Sequence, residues 1–88
     1  MAGALDLAFI GLSLRSAWGN GHATTYRALL DALIARGHRV RFYERDRPWY
    51  ADNQDLPREF APHLVLYDSV EALRETHGRD IAAADVAI

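Results

Sequence analysis

Between Leu5 and Leu14 the chain reads LDLAFIGLSL, a nearly continuous apolar stretch interrupted only by Asp6, Gly11 and Ser13. It is too short for a typical core helix and lacks the strict alternation of a half-exposed strand. It therefore reads as a strand near residues 6 to 12, buried on both faces. A strand of that kind needs partners beside it and helices above and below it, which points to a parallel sheet in an α/β fold.

The remaining segments fit that frame. From Thr24 to Arg36, Tyr26, Leu29, Leu30, Leu33 and Ile34 recur at three- and four-residue steps and form one helical stripe, which Gly37 stops. RVRFYE, Arg39 to Glu44, alternates Val40 and Phe42 with charged neighbours, predicting a second strand less buried than the first. Arg45 to Pro62 holds all three prolines, Trp49 and Tyr50, and reads as a structured loop with at most a turn of helix after Pro48. HLVLYD, His63 to Asp68, is a third apolar strand. Asp68 with Glu71 has capping-box-like spacing for a helix running towards Ala84.

Strands alternating with helices predict right-handed βαβ units: an open parallel sheet, Rossmann-like, of three strands plus the start of a fourth at ADVAI, Asp85 onward. In a doubly wound sheet the fourth strand pairs with the first on the side away from the second. Residues 1–88 are thus expected to form one Rossmann-like domain, incomplete at its C-terminus and marginally stable by itself.

Charge and composition exclude several function classes. The formal net charge is −2, with acidic and basic residues mixed, which supplies no electrostatic footprint for nucleic acid or an anionic membrane. The cationic tract Arg39 to Arg47 is interrupted by Glu44 and Asp46 and reads as a solvated rim. No cysteine is present, so disulfide scaffolds, thiolate zinc sites and a cysteine nucleophile are out. The N-terminal apolar run has no basic flank, carries Asp6 and is too short to span a bilayer, leaving the cytoplasm as the default location. No two of the four histidines have metal-ligand spacing.

The chemistry concentrates in SAWGNGHATTYRALL, Ser16 to Leu30, which leaves the first strand where open parallel sheets bind ligands. Gly19 and Gly21 permit close backbone approach, and the helix start offers unpaired N–H groups to a phosphate or a sugar hydroxyl. Gly19, Gly21 and an acidic Glu44 resemble part of a dinucleotide fingerprint. Thr24, however, stands where the third glycine belongs, and SLRSAW separates the strand from Gly19. A Walker loop fails, because no Gly-Lys-Ser/Thr follows.

His22 reads as a general base toward a hydroxyl, kept neutral by the helix N-terminus, or as a local cap. Glu44 and Asp68 end the second and third strands and converge on the same edge. Glu44 otherwise pairs with Arg45 or Arg47, and Asp68 otherwise caps the next helix. Trp18, Trp49 and Tyr50 stack on a sugar or base, or anchor their loops. Asn20 meets a hydroxyl or fills a left-handed turn. The candidate substrate contacts are Trp18, Gly19, Asn20, Gly21, Thr24, Glu44, Trp49 and Asp68, with His22 the candidate catalytic residue.

The segments SAWGNGHATTYRALLDALIARGH, FYERDRPWYADNQDLP and LVLYDSVEALRE together resemble the N-terminus of the CgeB-type glycosyltransferases, a family named after a spore-maturation protein. The string from Trp18 to Tyr26, with Glu44-Arg-Asp and Pro48-Trp-Tyr downstream, carries the resemblance, which covers nearly the whole chain. It implies a GT-B enzyme, two Rossmann-like domains across a cleft, moving a sugar from a nucleotide-sugar donor to an acceptor with no cofactor and no bound catalytic metal. This chain would be the acceptor-side part of the N-terminal domain. Its partner would be the C-terminal domain that holds most of the donor pocket, without which no transfer is expected. His22 would deprotonate the acceptor, and Gly19, Asn20 and Gly21 would contact acceptor or donor phosphates. The competing expectation is a non-catalytic nucleotide- or phosphate-binding α/β module.

Overall fold

A computed structural model describes residues 3–17 and 21–88. The elements are β1 (Asp6–Gly11), α1 (Gly21–Ala35), β2 (Arg39–Arg45), α2 (Pro48–Asp52), a 3-10 turn (Arg58–His63), β3 (Leu64–Tyr67), α3 (Val70–Ala83) and β4 (Val86–Ala87). Four parallel strands lie in the order β3-β2-β1-β4. This is the open, Rossmann-like α/β sheet that the apolar run and the alternation of elements predict. The chain crosses the sheet one way from β1 to β3 and the other way from β3 to β4. Crossovers of one hand then put α1 and α3 on opposite faces.

Alternation along the strands feeds two cores. Leu7, Phe9, Val40 and Phe42 face α1 and are buried with Leu14, Leu30 and Phe60. Ala8 and Tyr43 face the other way, against Leu73 of α3. The expectation that the second strand is less buried than the first needs correction. Val40, Phe42, Tyr43 and Glu44 of β2 are all buried. β2 is an interior strand between β1 and β3, and Phe60 of the 3-10 turn joins the same core. Glu44 and Arg41 turn inward to bond, while Arg39 and Arg45 at the two ends of the strand are exposed.

The helix ends follow the local chemistry, with adjustments. Gly37 adopts φ +84°, a conformation open to glycine, so the His38 N–H reaches the Leu33 carbonyl at 3.2 Å and the Gly37 N–H reaches that of Ile34 at 2.9 Å. α1 begins at Gly21 rather than Thr24, placing Gly21 and His22 inside its first turn. α3 is capped by Ser69, whose hydroxyl accepts from the Ala72 N–H at 3.1 Å. Asp68 is therefore not the cap: Ser69 is the residue with extended backbone immediately before the first helical turn. The turn of helix after Pro48 is present as α2. β4 lies on the outer side of β1, where the Ile88 N–H donates to Ala8 O and the Ile10 N–H to Ile88 O, each at 2.8 Å.

Candidate functional site at the carboxyl rim

Strand order reverses between β1 and β4, and in open α/β sheets the ligand crevice opens at the carboxyl ends of such a pair. The connection from β1 to α1 leaves from that place. Its first half is held by a set of buried polar groups. Glu44, the penultimate residue of β2, is fully buried; its Oε1 accepts from the Leu14 N–H at 2.7 Å and the Arg15 N–H at 3.0 Å. Its Oε2 accepts from Arg15 Nε at 3.1 Å, and Arg15 Nη2 reaches Asp46 Oδ1 at 3.2 Å. A carboxylate and a guanidinium both removed from water need this degree of mutual satisfaction to be tolerated.

A second set ties the loop to the segment after α2. Ser16 Oγ donates to Asn53 O at 2.6 Å, and the Asp55 N–H to Arg15 O at 3.0 Å. Asp55 Oδ1 accepts from the Ala17 N–H at 3.0 Å and from Arg27 Nη2 at 2.6 Å. Arg27 Nε also donates to Leu14 O at 2.9 Å. The Arg27 hydrogen bond first, and the Ala17 N–H second, hold the Asp55 carboxyl below its ordinary value of 3.8. Glu44, Asp55 and Arg27 thus hold the backbone of Leu14, Arg15 and Ala17, immediately before the glycine stretch.

Around this clamp the candidate residues separate into groups. Gly21, His22 and Thr24 all lie exposed in the first turn of α1. His22 stands one helical turn before Tyr26, which packs over the end of β1. Trp18, Gly19 and Asn20 lie outside the described residues. Trp49 sits on α2 and is 57% exposed, so its ring is presented to solvent rather than buried as a loop anchor. Asp68 is exposed just past β3, and its carbonyl accepts from Arg45 Nε at 3.2 Å. Glu44 departs from the group: its carboxylate is enclosed and bonded to Arg15 and two loop amides, not to Arg45 or Arg47. It shapes the rim from beneath rather than facing a ligand.

The sequence reading passed over Arg15, Arg27 and Asp55. SLRS looked like a spacer, whereas Ser13, Leu14, Arg15 and Ser16 are all buried. The available signal was four consecutive residues with two hydroxyls and a cation directly after a buried strand, where a solvated loop has no need of them. The remaining histidines have local contacts: His38 Nδ1 accepts from the Leu5 N–H at 3.0 Å, His63 Nδ1 lies 2.9 Å from Val40 O, and His77 packs against Tyr43. No helix among the described residues is long and apolar enough to cross a membrane. No family model, curated protein or solved structure matches the chain.

Proposed function

We propose that this chain is the N-terminal, acceptor-side portion of a glycosyltransferase that moves a sugar from a nucleotide-sugar donor to an acceptor hydroxyl. The observation that carries the reading is the exposed His22 in the first turn of α1, on the connection that leaves the carboxyl end of β1. The motif string from Trp18 to Tyr26 supports it, as does the two-faced parallel sheet. In the reaction, His22 takes the proton of the acceptor hydroxyl as its oxygen bonds to the anomeric carbon. The bond from that carbon to the phosphate oxygen breaks, and the nucleoside diphosphate leaves with the electron pair. Helix N–H groups at the same turn favour a phosphate oxygen. Trp49 offers an apolar surface to a sugar face, and Asp68 an acceptor for sugar hydroxyls.

The test is a nucleotide-sugar turnover screen on the full-length protein with its proposed C-terminal domain, followed by His22→Ala. A base loses turnover by about a hundredfold or more with donor binding retained. If affinity for the nucleotide falls first and no turnover exists to lose, the rim belongs to a non-catalytic phosphate-binding module.

A further inference from the structure

We infer that the Tyr26 hydroxyl is a ligand contact at this rim, donating to a sugar or phosphate oxygen beside His22; the ligand class rests on the sugar-transfer reading. Gly11, the last residue of β1, marks the place. A Cβ at Gly11 would lie 2.7 Å from Phe42 Cζ, 2.9 Å from Tyr26 Cζ and 2.9 Å from the Tyr26 hydroxyl oxygen. The strand thus ends in the residue that leaves room for this phenol, and the hydroxyl lies across the carboxyl end of β1. The ring stands edge-on to Phe42, with centroids 4.8 Å apart and planes at 67°, which fixes where the hydroxyl points.

A phenylalanine would satisfy that packing equally well, so the oxygen is the part the core does not require. Among the described residues no group hydrogen-bonds to it, although Tyr26 is half-buried. Tyr26 lies four residues after His22, on the same side of α1 and about 6 Å along its axis. A ligand hydroxyl at His22 therefore leaves its neighbouring oxygens within reach of Tyr26. The phenol O–H positions the ligand by donating a hydrogen bond, and His22 is the group that takes the proton.

The experiment uses the full-length protein with its proposed C-terminal domain and UDP-glucose, UDP-N-acetylglucosamine, GDP-mannose and dTDP-glucose as donors, measuring nucleoside diphosphate release and melting midpoint for wild type and Tyr26→Phe. The expected result is a threefold to tenfold loss of kcat/KM, roughly the worth of one neutral hydrogen bond, with an unchanged midpoint. Gly11→Ala, which displaces the ring, should lower both activity and midpoint. An active wild type matched by Tyr26→Phe in kcat/KM overturns the contact and leaves sugar transfer standing. A loss of activity that follows a lowered midpoint in Tyr26→Phe also overturns it, because the role is then packing. A wild type that releases diphosphate from none of these donors overturns the sugar-transfer reading, and the contact falls with it.

Discussion

On the α1 face, Leu7, Phe9, Val40 and Phe42 meet Leu14, Leu30 and Phe60, with Tyr26, Leu33, Ile34, Leu56 and Leu64 packed around them. On the α3 face the buried set is Ala8, Tyr43 and Leu73. There the space is shared with Arg41, which donates to the Tyr43 hydroxyl at 2.8 Å, to Asp6 Oδ1 at 2.9 Å and to Asp80 O at 3.3 Å. Its Nε is buried with no partner among the described residues. Burial raises the Tyr43 pKa, with Arg41 opposing part of the rise. Each face therefore carries an inward-turned arginine, but they are completed differently. Arg15 and Glu44 sit in a satisfied network at the carboxyl rim, whereas Arg41 is left one bond short. Satisfied buried networks rigidify and half-satisfied ones do not, so the face carrying the glycine loop should be the stiffer one.

The largest expected effect tests the dense side. Phe42→Ala removes the ring that packs against Tyr26 and lies parallel to Phe9, and should cost about 3–5 kcal/mol. Against a total stability of about 5–15 kcal/mol for a small domain, that shifts the urea midpoint strongly or abolishes the transition. Glu44→Gln comes next. It keeps the shape but sets a neutral amide against the buried Arg15, and about 3 kcal/mol is expected. The Leu14 and Arg15 amides should also exchange with solvent faster than in wild type. A Glu44→Gln protein with a wild-type midpoint and unchanged exchange would show that the rim is held by backbone packing alone.

Those two residues also show what the sequence could and could not reveal. The apolar run around Phe9 and the stripe on α1 are local patterns, and a buried strand and a helix follow from them directly. Whether β2 lies inside the sheet depends on strand order, a property of the whole topology, so Arg41 and Glu44 looked like a wet strand's charges. Glu44 was legible as a rim residue from its place at the end of β2. Its partner was not, because Arg15 lies 29 residues away while Arg45 and Arg47 stand next to it in sequence. His22 at the rim follows from the βαβ order alone. The clamp through Asp55 and Arg27 does not, since it depends on how the loop after α2 folds back.

Leu73→Ala probes the sparse face. It should cost about 2–3 kcal/mol, less than Phe42→Ala, because few apolar neighbours are left to line the cavity. Equal costs at Leu73 and Phe42 would break the contrast between faces. At the start of the same helix, Ser69→Ala should cost about 1 kcal/mol while Asp68→Ala leaves the midpoint unchanged, since the Ala72 N–H is received by Ser69. The reverse ranking would return the cap to Asp68.

The smallest effect is a pH dependence on the dense side. Asp55 is a lowered carboxyl, so the folded state holds its proton less tightly than the unfolded chain. Its contribution is present in full above the ordinary carboxyl value of 3.8 and is lost as pH falls through the lower folded value. With the Asp55 side chain 41% exposed, solvent screens the pair with Arg27, and less than about 1 kcal/mol is at stake. Wild type and Asp55→Asn should therefore differ in urea midpoint at pH 7 and converge towards pH 2. A constant gap at all pH values would mean that the Ala17 and Arg27 contacts work through shape, and that charge at Asp55 does not hold the rim.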